Sequence, residues 1–281
     1  MKKIIATDLD GTLFYPRAKL NMIPKKNIAF LREYIEKGGR VVLVSGRSHH
    51  YAHRVSAKVG YPLDVIGANS AYISVNGEVK EEHFLPENML DIYKKISKKY
   101  YIKGQLLMSN DYPLVIRGPD YKWYKKKFYE FYYWAQGIYA EAYIYDHQLF
   151  LDELKRKKVY KMMLYFGLGK KEQKKASEAN KYIRENFPEI EASWTGSFVE
   201  LTPKGCNKAN GIEKYLRYLE VDKRDIIVVG DSGNDISMFN AYQENSFCMS
   251  HASEKVKKYA KHIIRRFYDL APFVYEKEEK K

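Results

Sequence analysis

The chain contains 281 residues, of which 45% are hydrophobic and 30% are charged, and its formal net charge is +14. This length suits one large domain or two ordinary domains of about 150 residues each, and the composition is that of a soluble globular protein. No apolar stretch approaches the ~20 residues needed to span a bilayer, so we expect no membrane association.

The start of the chain and its cysteines bear on where the protein works. A buried-strand pattern begins at Ile4 and leaves no room for a signal peptide with its cleavage site. Cys206 and Cys248 are the only cysteines. So few in so long a chain are typical of free thiols in a reducing compartment. We therefore expect a cytoplasmic protein.

The net positive charge is compatible with nucleic acid, an anionic membrane surface or small anionic substrates as partners. The densest basic runs, at 125–127 and 155–158, lie in the middle third of the chain, together with many of the 26 tyrosines. A basic aromatic surface can stack bases. Because no nucleic-acid motif accompanies it, we interpret it as the solvated exterior of a small domain and expect no nucleic-acid partner. The oligomeric state is not determined by the sequence.

The first predicted element is a strand over Ile4–Thr7, followed directly by Asp8, Asp10 and Gly11. Such apolar runs are typical of buried parallel strands, and α/β folds place their ligands at the carboxyl ends of these strands. Two carboxylates that converge after a glycine turn repel each other unless a cation lies between them or one is protonated. The pattern favours a hard divalent cation such as Mg²⁺, although a solvated turn is also compatible with so short a motif.

A strand–helix–strand pattern follows. Residues 28–38 have helical apolar spacing and end in Lys-Gly, a helix stop signal. Residues 40–45 form a second apolar run that ends in Ser45-Gly46-Arg47, and residues 64–69 form a third. Short connections between such elements predict a right-handed parallel β-α-β unit.

From about residue 83 the pattern changes to helix-like stretches that alternate with short β-like ones. The helix-like stretches are 88–101 and 170–187, and the β-like ones are 105–117, 142–151 and 158–166. This α+β character predicts an inserted second domain over residues 84–195, between core segments 1–83 and 196–281.

The first pattern returns near Phe198. The elements predicted from there on are strands and helices in alternation: a helix over 211–219, a buried strand over 225–231, a helix over 235–242, a short strand over 247–249, a helix over 253–260 and an edge strand over 262–264. The fold class expected for the whole chain is α/β, with a doubly wound, Rossmann-like parallel sheet and an inserted α+β cap domain.

Polar residues follow several of the predicted core strands. Asp8 and Asp10 follow the first strand, Ser45 the second, and Asp231 ends the strand over 225–231. The carboxyl ends of parallel strands face one edge of a sheet, so these side chains can share a pocket although they lie far apart in sequence. The segment 202–208 opens the following helix and adds two lysines to the candidates.

This ordered set of motifs resembles the haloacid dehalogenase-like superfamily of phosphatases. The matching motifs, in chain order, are Asp8-Leu9-Asp10-Gly11-Thr12, Ser45, a lysine, and Gly230-Asp231 with Asn234-Asp235. The long gap between Ser45 and the lysine resembles the Cof-type members, whose C2-type α+β cap is inserted there. The resemblance covers both core segments, and the cap only by its position.

The resemblance implies a Mg²⁺-dependent phosphatase that acts on a small phosphorylated metabolite, such as a sugar phosphate or a phosphorylated cofactor. Asp8 would be the nucleophile that becomes an aspartyl phosphate, and Asp10 the general acid and base. The metal ion would be held by Asp8, the Asp10 backbone carbonyl and Asp231. Asp235 would be either a direct metal ligand or, as we favour, a support for the metal site. The implied phosphate-binding groups belong to Leu9, Ser45, Gly46, Lys208 and Asn234. Two alternatives stay open: a phosphomutase or phosphotransferase using the same intermediate, and a non-catalytic nucleic-acid-binding protein.

For some candidate site residues the sequence leaves more than one role or position open. The family places its lysine in a Pro-x-Gly-x-x-Lys run before a helix, which selects Lys208 over Lys204. Arg47 would contact the substrate or fix the loop through an ion pair. His49 and His53 have the helical spacing of a zinc site, but no third ligand is evident nearby.

Two segments depart from the family pattern. Asn69-Ser70 stands where the family usually has Asn-Gly, and Met249-Ser250-His251-Ala252 stands where it usually has Met-Gly-Asn-Ala. The first is expected to alter the loop that faces the cap, and the second the support of the metal loop. Neither removes a proposed ligand or catalytic group.

Overall fold

The structure, a computed structural model, describes residues 2–16, 23–117 and 141–275, together with Lys127 and Phe131. The chain divides into two compact units, one formed by Met1–Glu81 with Asn207–Lys281 and the other by Glu82–Cys206. Most of the basic run at 125–127 lies outside the described residues.

The described strands and helices alternate in the first unit and are grouped in the second. In chain order the strands are β1 Ile4–Thr7, β2 Arg40–Val44, β3 Asp64–Gly67, β4 Tyr72–Val75, β5 Glu78–Glu82, β6 Gly104–Ser109, β7 Val115–Arg117, β8 Ile144–Tyr145, β9 Val159–Tyr165, β10 Ile190–Thr195, β11 Phe198–Pro203, β12 Ile226–Gly230, β13 Ser246–Met249 and β14 His262–Ile264. The helices are α1 Lys25–Glu36, α2 His49–Val59, α3 Met89–Lys99, α4 His147–Arg156, α5 Lys170–Asn186, α6 Lys208–Leu219, α7 Ile236–Ala241, α8 Glu254–Lys257 and α9 Ala271–Val274.

The first unit is built on an eight-stranded sheet with the order β14-β13-β12-β1-β2-β3-β4-β5. The strands from β14 to β3 pair in parallel, and β4 returns antiparallel to β3. The central strands are uninterrupted apolar runs because side chains on both faces are buried. The α/β fold with a parallel core sheet is thus confirmed.

One helix is especially relevant to the site. Helix α6 packs Ile212, Tyr215 and Leu216 into the same apolar cluster as Ile4 and Val228 of the central strands. This packing fixes the N-terminal end of α6 relative to the sheet.

The second unit contains a six-stranded sheet with the order β10-β11-β9-β6-β7-β8, antiparallel except between β7 and β8. Its core joins Leu107 and Leu164 of the strands with Ile92, Phe150 and Ile183 of helices α3, α4 and α5. A mixed sheet covered by helices is the α+β texture expected for the insertion.

The return to the core lies later in the chain than the predicted residue 196. Strand β11 pairs antiparallel with β9, where Val199 lies opposite Leu164, and with β10, where Val199 lies opposite Trp194. It therefore belongs to the second sheet. A short apolar run shows that a strand is present but does not identify its partners, which depend on contacts distant in sequence.

The expectation of extended chain over 142–151 was wrong in its second half, because helix α4 begins at His147. The missed signal is Asp146, whose side chain accepts a hydrogen bond from the Leu149 backbone at 2.8 Å and caps the helix.

Among the described residues, no helix is both long and apolar enough to cross a membrane.

Candidate active site

The acids of the first and last motifs lie at the ends of neighbouring strands. Strands β1 and β12 pair in parallel with Thr7 beside Val229. The Asp8 backbone continues this ladder by donating a hydrogen bond to the Val229 carbonyl at 2.9 Å. Asp231 follows β12 directly, so the sheet brings together two carboxylates that are more than 200 positions apart in the sequence.

A tight turn over Leu9–Leu13 wraps around Asp231. The Thr12 hydroxyl donates a hydrogen bond to Asp231 Oδ1 at 2.9 Å. Gly11 has φ +78°, and a Cβ atom placed on it would lie 2.3 Å from Asp231 Oδ2. Glycine is required here both for the left-handed backbone and for the close approach of the carboxylate.

Lys208 lies at the first position of α6, after Asn207, whose side chain caps the helix by accepting from the Asn210 backbone at 3.0 Å. Its Nζ is 2.6 Å from Asp8 Oδ1 and 2.6 Å from Asp235 Oδ1, and the residue is 1% exposed. Lys204, in contrast, is exposed. Of the two candidate lysines, Lys208 is the one placed against the proposed nucleophile.

Asp235 organises the loop after β12. Its Oδ2 accepts hydrogen bonds from the backbone amides of Asp231 and Ser232, both at 2.9 Å, and from the Ser232 hydroxyl at 3.1 Å. A Cβ on Gly230 would lie 2.4 Å from Asp235 Cγ. Asn234 is exposed on this loop and accepts from the Ser232 hydroxyl at 2.7 Å. Asp235 thus fixes both the loop and Lys208.

The loop after β2 carries the predicted serine and arginine. Ser45 is buried, and its Oγ accepts a hydrogen bond from the Arg47 backbone at 3.1 Å. Arg47 forms a two-point ion pair with Asp10, through Nε to Oδ2 at 2.6 Å and Nη2 to Oδ1 at 2.7 Å, while its guanidinium lies 4.2 Å from the centre of the Tyr51 ring. Of the two interpretations left open for Arg47, the structure contains the ion pair.

The remaining predicted phosphate contacts are backbone groups. Leu9 is buried within its turn, and Gly46 is half-buried between Ser45 and Arg47. Their roles, like those of the other site residues, stay predictions.

The acids fit a divalent metal ion. One carboxylate oxygen from each of Asp8, Asp231 and Asp235 lies within 4.8 Å of the others, and hard oxygen donors so close together suit Mg²⁺ or a similar ion. Both carboxylate oxygens of Asp235 are already engaged, Oδ1 by Lys208 and Oδ2 by the loop amides, which makes Asp8 and Asp231 the better candidates for direct ligands.

The protonation of the cluster reflects its burial. Burial raises the pKa of Asp8 to about 8, against the opposing effect of Lys208, and neighbouring Asp235 adds to the rise. Burial also raises the pKa of Asp231 to about 6. Burial alone would lower the pKa of Lys208, but the carboxylates of Asp235 and Asp8 raise it above its ordinary value and keep the ammonium charged. A cation is what such a cluster needs to be fully ionised.

The histidine pair considered for zinc is not part of this cluster. Among the described residues the metal-compatible group contains neither His49 nor His53. His49 is buried and stacked on Tyr72 with ring centres 4.4 Å apart. Burial lowers the pKa of His49 to about 4.

Sequence reasoning missed two neighbours of Asp231. One is Thr12, described above. The other is His251, whose Nε2 lies 3.7 Å from Asp231 Oδ2 and whose ring stacks on Tyr15 with centres 3.9 Å apart. The signal for His251 was its departure from the usual Asn of the family pattern.

The chain matches a protein-family model and is similar to known proteins over most of its length. A family model described as haloacid dehalogenase-like hydrolase matches residues 5–269. The chain is 23% identical over 263 residues to the 5-amino-6-(5-phospho-D-ribitylamino)uracil phosphatase YbjI of Escherichia coli. The aligned region covers 92% of this chain and 89% of that protein. It is also 23% identical over 271 residues to a putative phosphatase of Bacillus subtilis, covering 94% of this chain and 92% of that one.

Solved structures share the fold. A haloacid dehalogenase-like hydrolase from Bacteroides thetaiotaomicron superimposes with a TM-score of 0.75 at 21% identity, covering 98% of this chain and 100% of that chain. A sugar phosphatase of HAD subclass IIB superimposes with a TM-score of 0.69 at 22% identity, covering 96% and 95%.

Proposed function

Because the chain belongs to the haloacid dehalogenase-like hydrolases and is a phosphatase of that family, we propose that it hydrolyses small phosphate monoesters through a phosphoryl group carried on Asp8, with Mg²⁺ as its metal ion. The observation that carries this proposal is the position of Asp8 at the end of β1, bound by Lys208 at 2.6 Å and within reach of Asp231 for a shared cation.

Asp8, Asp231 and the backbone carbonyl of Asp10 would hold the Mg²⁺ ion. When bound, the ion screens the negative charges of nucleophile and phosphate from each other. Asp235 and Thr12 both hold Asp231 in place, Asp235 through the Asp231 backbone amide and Thr12 through Asp231 Oδ1.

The proposed reaction consists of two displacements. A carboxylate oxygen of Asp8 attacks phosphorus and the bond to the ester oxygen breaks, while the Asp10 carboxyl group gives its proton to that oxygen. The Asp10 carboxylate then takes a proton from a water molecule, whose oxygen attacks phosphorus. The bond to Asp8 breaks, and inorganic phosphate leaves.

Transfer of the phosphoryl group depends mainly on neutralisation of its negative charge and on its positioning. We assign this work to Lys208, the Ser45 hydroxyl, the Asn234 side chain and the backbone amides of Leu9 and Gly46. Lys208 is suited to it because the helix N-terminus where it lies favours anions.

Arg47 would orient the ionised Asp10 for the second displacement, in which its carboxylate takes a proton from water. The two-point ion pair restrains a carboxylate that is otherwise 55% exposed, and the guanidinium lies over the Tyr51 ring. An exposed acid held in one orientation is better placed for proton transfer than one free to rotate.

The names of the relatives support a proposal for the substrate class. One relative is named for a phosphorylated ribitylamino-uracil, and a structural neighbour is a sugar phosphatase. We propose that this chain likewise acts on a small phosphorylated metabolite, a sugar phosphate or a phosphorylated cofactor. We also propose that the unit Glu82–Cys206 serves as the cap, and that the protein works in the cytoplasm, where the few cysteines of so long a chain would stay reduced.

The test is hydrolysis of p-nitrophenyl phosphate by the purified full-length protein. We expect activity that requires Mg²⁺ and is lost with EDTA, and that falls by roughly 10³-fold or more in Asp8→Asn, because the amide is a poor nucleophile. Exposed Lys204→Ala is the matched control and should keep wild-type activity. Phosphate release that is unchanged in Asp8→Asn would contradict the proposal, and transfer to a sugar that exceeds release would indicate a phosphotransferase instead.

A further inference from the structure

A left-handed turn lies beside the proposed phosphate-binding loop. Ala68, Asn69 and Ser70, directly after β3, have φ values of +49°, +58° and +79°. Residues with a Cβ atom rarely adopt this left-handed backbone conformation, and three such residues in succession are unusual. Glycine, which has no Cβ atom, adopts this conformation without strain.

On one side, the turn holds the loop that carries the proposed phosphate ligands. The Ala68 amide donates to the Arg47 carbonyl at 2.8 Å, and the Asn69 amide donates to the Ser45 carbonyl at 3.1 Å. The position of the Ser45–Arg47 loop therefore depends on the backbone of the turn.

On its other side, the turn contacts the helix that carries Lys208. Gly211 lies three residues after Lys208 in α6, and a Cβ placed on Gly211 would be 2.5 Å from Ser70 Cβ and 2.6 Å from Ile66 Cγ2. Ser70 is 3% exposed. Gly211 has no side chain, and the side chain of Ser70 therefore fills the space beside it.

We propose that Ser70 is a positioning residue, whose Cβ, packed against Gly211, sets the separation between the Ser45–Arg47 loop and Lys208. The inference rests on the proposed function. It explains why a residue with a side chain is tolerated in a conformation that favours glycine: the left-handed φ directs the Cβ onto the helix. Without that Cβ, the turn loses the packing of the Ser70 side chain against Gly211, and the two sets of phosphate ligands become less well aligned.

The experiment compares Ser70→Ala with Ser70→Gly. Alanine keeps the Cβ and removes only the hydroxyl, whereas glycine removes both. We expect Ser70→Ala to match the wild type, and Ser70→Gly to bind inorganic phosphate and to turn over p-nitrophenyl phosphate roughly tenfold less well, because small misplacements of positioning groups are costly. Phosphate binding is measured by calorimetry on the Mg²⁺-loaded protein and hydrolysis by separate kcat and KM values.

Glu220→Gly is the matched control. Glu220 also has a left-handed φ, +54°, but is exposed at the end of α6. Glycine there relieves the same kind of backbone strain without removing a packed side chain, so phosphate binding should not change. Thermal unfolding of all variants separates loss of alignment from loss of fold.

The outcomes are distinct. If Ser70→Gly binds phosphate as the wild type does, or if Ser70→Ala is impaired as severely as Ser70→Gly, the role of the Cβ is overturned while the proposed function stands. If the wild-type protein neither hydrolyses the ester nor binds phosphate, the proposed function itself is overturned.

Discussion

At the scale of single residues, the site depends as much on a missing side chain as on the charged ones. The Gly11 backbone turns left-handed at φ +78°, and the Asp231 carboxylate occupies the space where a Cβ would lie. We therefore expect Gly11→Ala to push Asp231 away from Asp8 and to weaken Mg²⁺ binding by roughly tenfold or more, in the range measured for residues that support metal ligands.

Gly38→Ala separates this effect from backbone strain. Gly38 has a similar φ of +82°, but a Cβ on it would meet nothing within 4 Å. Both variants carry the cost of ~1–2 kcal/mol for alanine in a left-handed conformation, and only Gly11→Ala displaces a carboxylate. Calorimetric Mg²⁺ titration of both variants is the measurement, and equal affinities would contradict the assignment of Asp231 as a ligand.

The sequence predicted individual residues unequally well. The strand ends predict that Asp8 and Asp231 lie at one edge of the sheet, because secondary structure alone determines where these positions lie. Secondary structure left Lys204 and Lys208 both open, and only the resemblance to the family, with its Pro-x-Gly-x-x-Lys run, selected Lys208. The Arg47 ion pair does not follow in this way. The direction of a long side chain depends on where Asp10 and the Tyr51 ring lie, and these are set by tertiary packing.

At the scale of secondary-structure elements, the ends of β1, β12 and α6 concentrate charge in a buried place, which predicts a pH dependence. The pKa of Asp8, about 8, and that of Asp231, about 6, lie above the ordinary value of 3.8 for aspartate. Between the unfolded and the folded pKa values, the metal-free native state binds more protons than the unfolded chain. Its free energy of unfolding therefore falls as pH rises through this range.

Buried His49 opposes this trend only at lower pH. Its pKa of about 4 is below the ordinary 6.5, so its contribution to stability rises with pH up to the ordinary value and then levels off. The useful window is therefore from about pH 6.5 to 8, where the contribution of Asp8 dominates among these groups. With EDTA present we expect the Tm to fall across this window in the wild type and to fall less in Asp8→Asn.

Mg²⁺ should remove the dependence, because the ion competes with protons for the carboxylates and its affinity rises with pH. Thermal unfolding at several pH values, with EDTA or with saturating Mg²⁺, is the measurement. A Tm of the metal-free protein that rises across the window, or a slope that Asp8→Asn leaves unchanged, would show that the carboxyl group of Asp8 is ionised throughout.

Elements were predictable where the pattern is local and regular. The apolar runs of β1, β2 and β12 identify buried parallel strands, since both faces are covered. The boundary predicted at residue 196 included β11 in the core segment, because a short apolar run fits either sheet and its pairing with β9 is a long-range contact. The capping residue Asp146 was readable in the sequence and was overlooked.

At the scale of the whole molecule, the order of the motifs along the chain carries more information than any one motif. A single Asp-x-Asp pair is compatible with a solvated turn, whereas acids, serine and lysine in this order predict one fold, with these residues at one edge of its sheet. The order of the motifs does not predict the substrate, because substrate choice depends on the shape and polarity of surfaces that no short motif specifies.

The central claim is that Asp8 itself carries the phosphoryl group. The most direct test is rapid acid quenching of the full-length protein during turnover of p-nitrophenyl phosphate with Mg²⁺, followed by peptide mass spectrometry. We predict a phosphoryl group on Asp8, in the peptide that contains the Asp8–Thr12 turn, labile to hydroxylamine as an acyl phosphate is, and absent with EDTA. Phosphate release without any phosphorylated protein, or a phosphoryl group on another residue, would contradict the account.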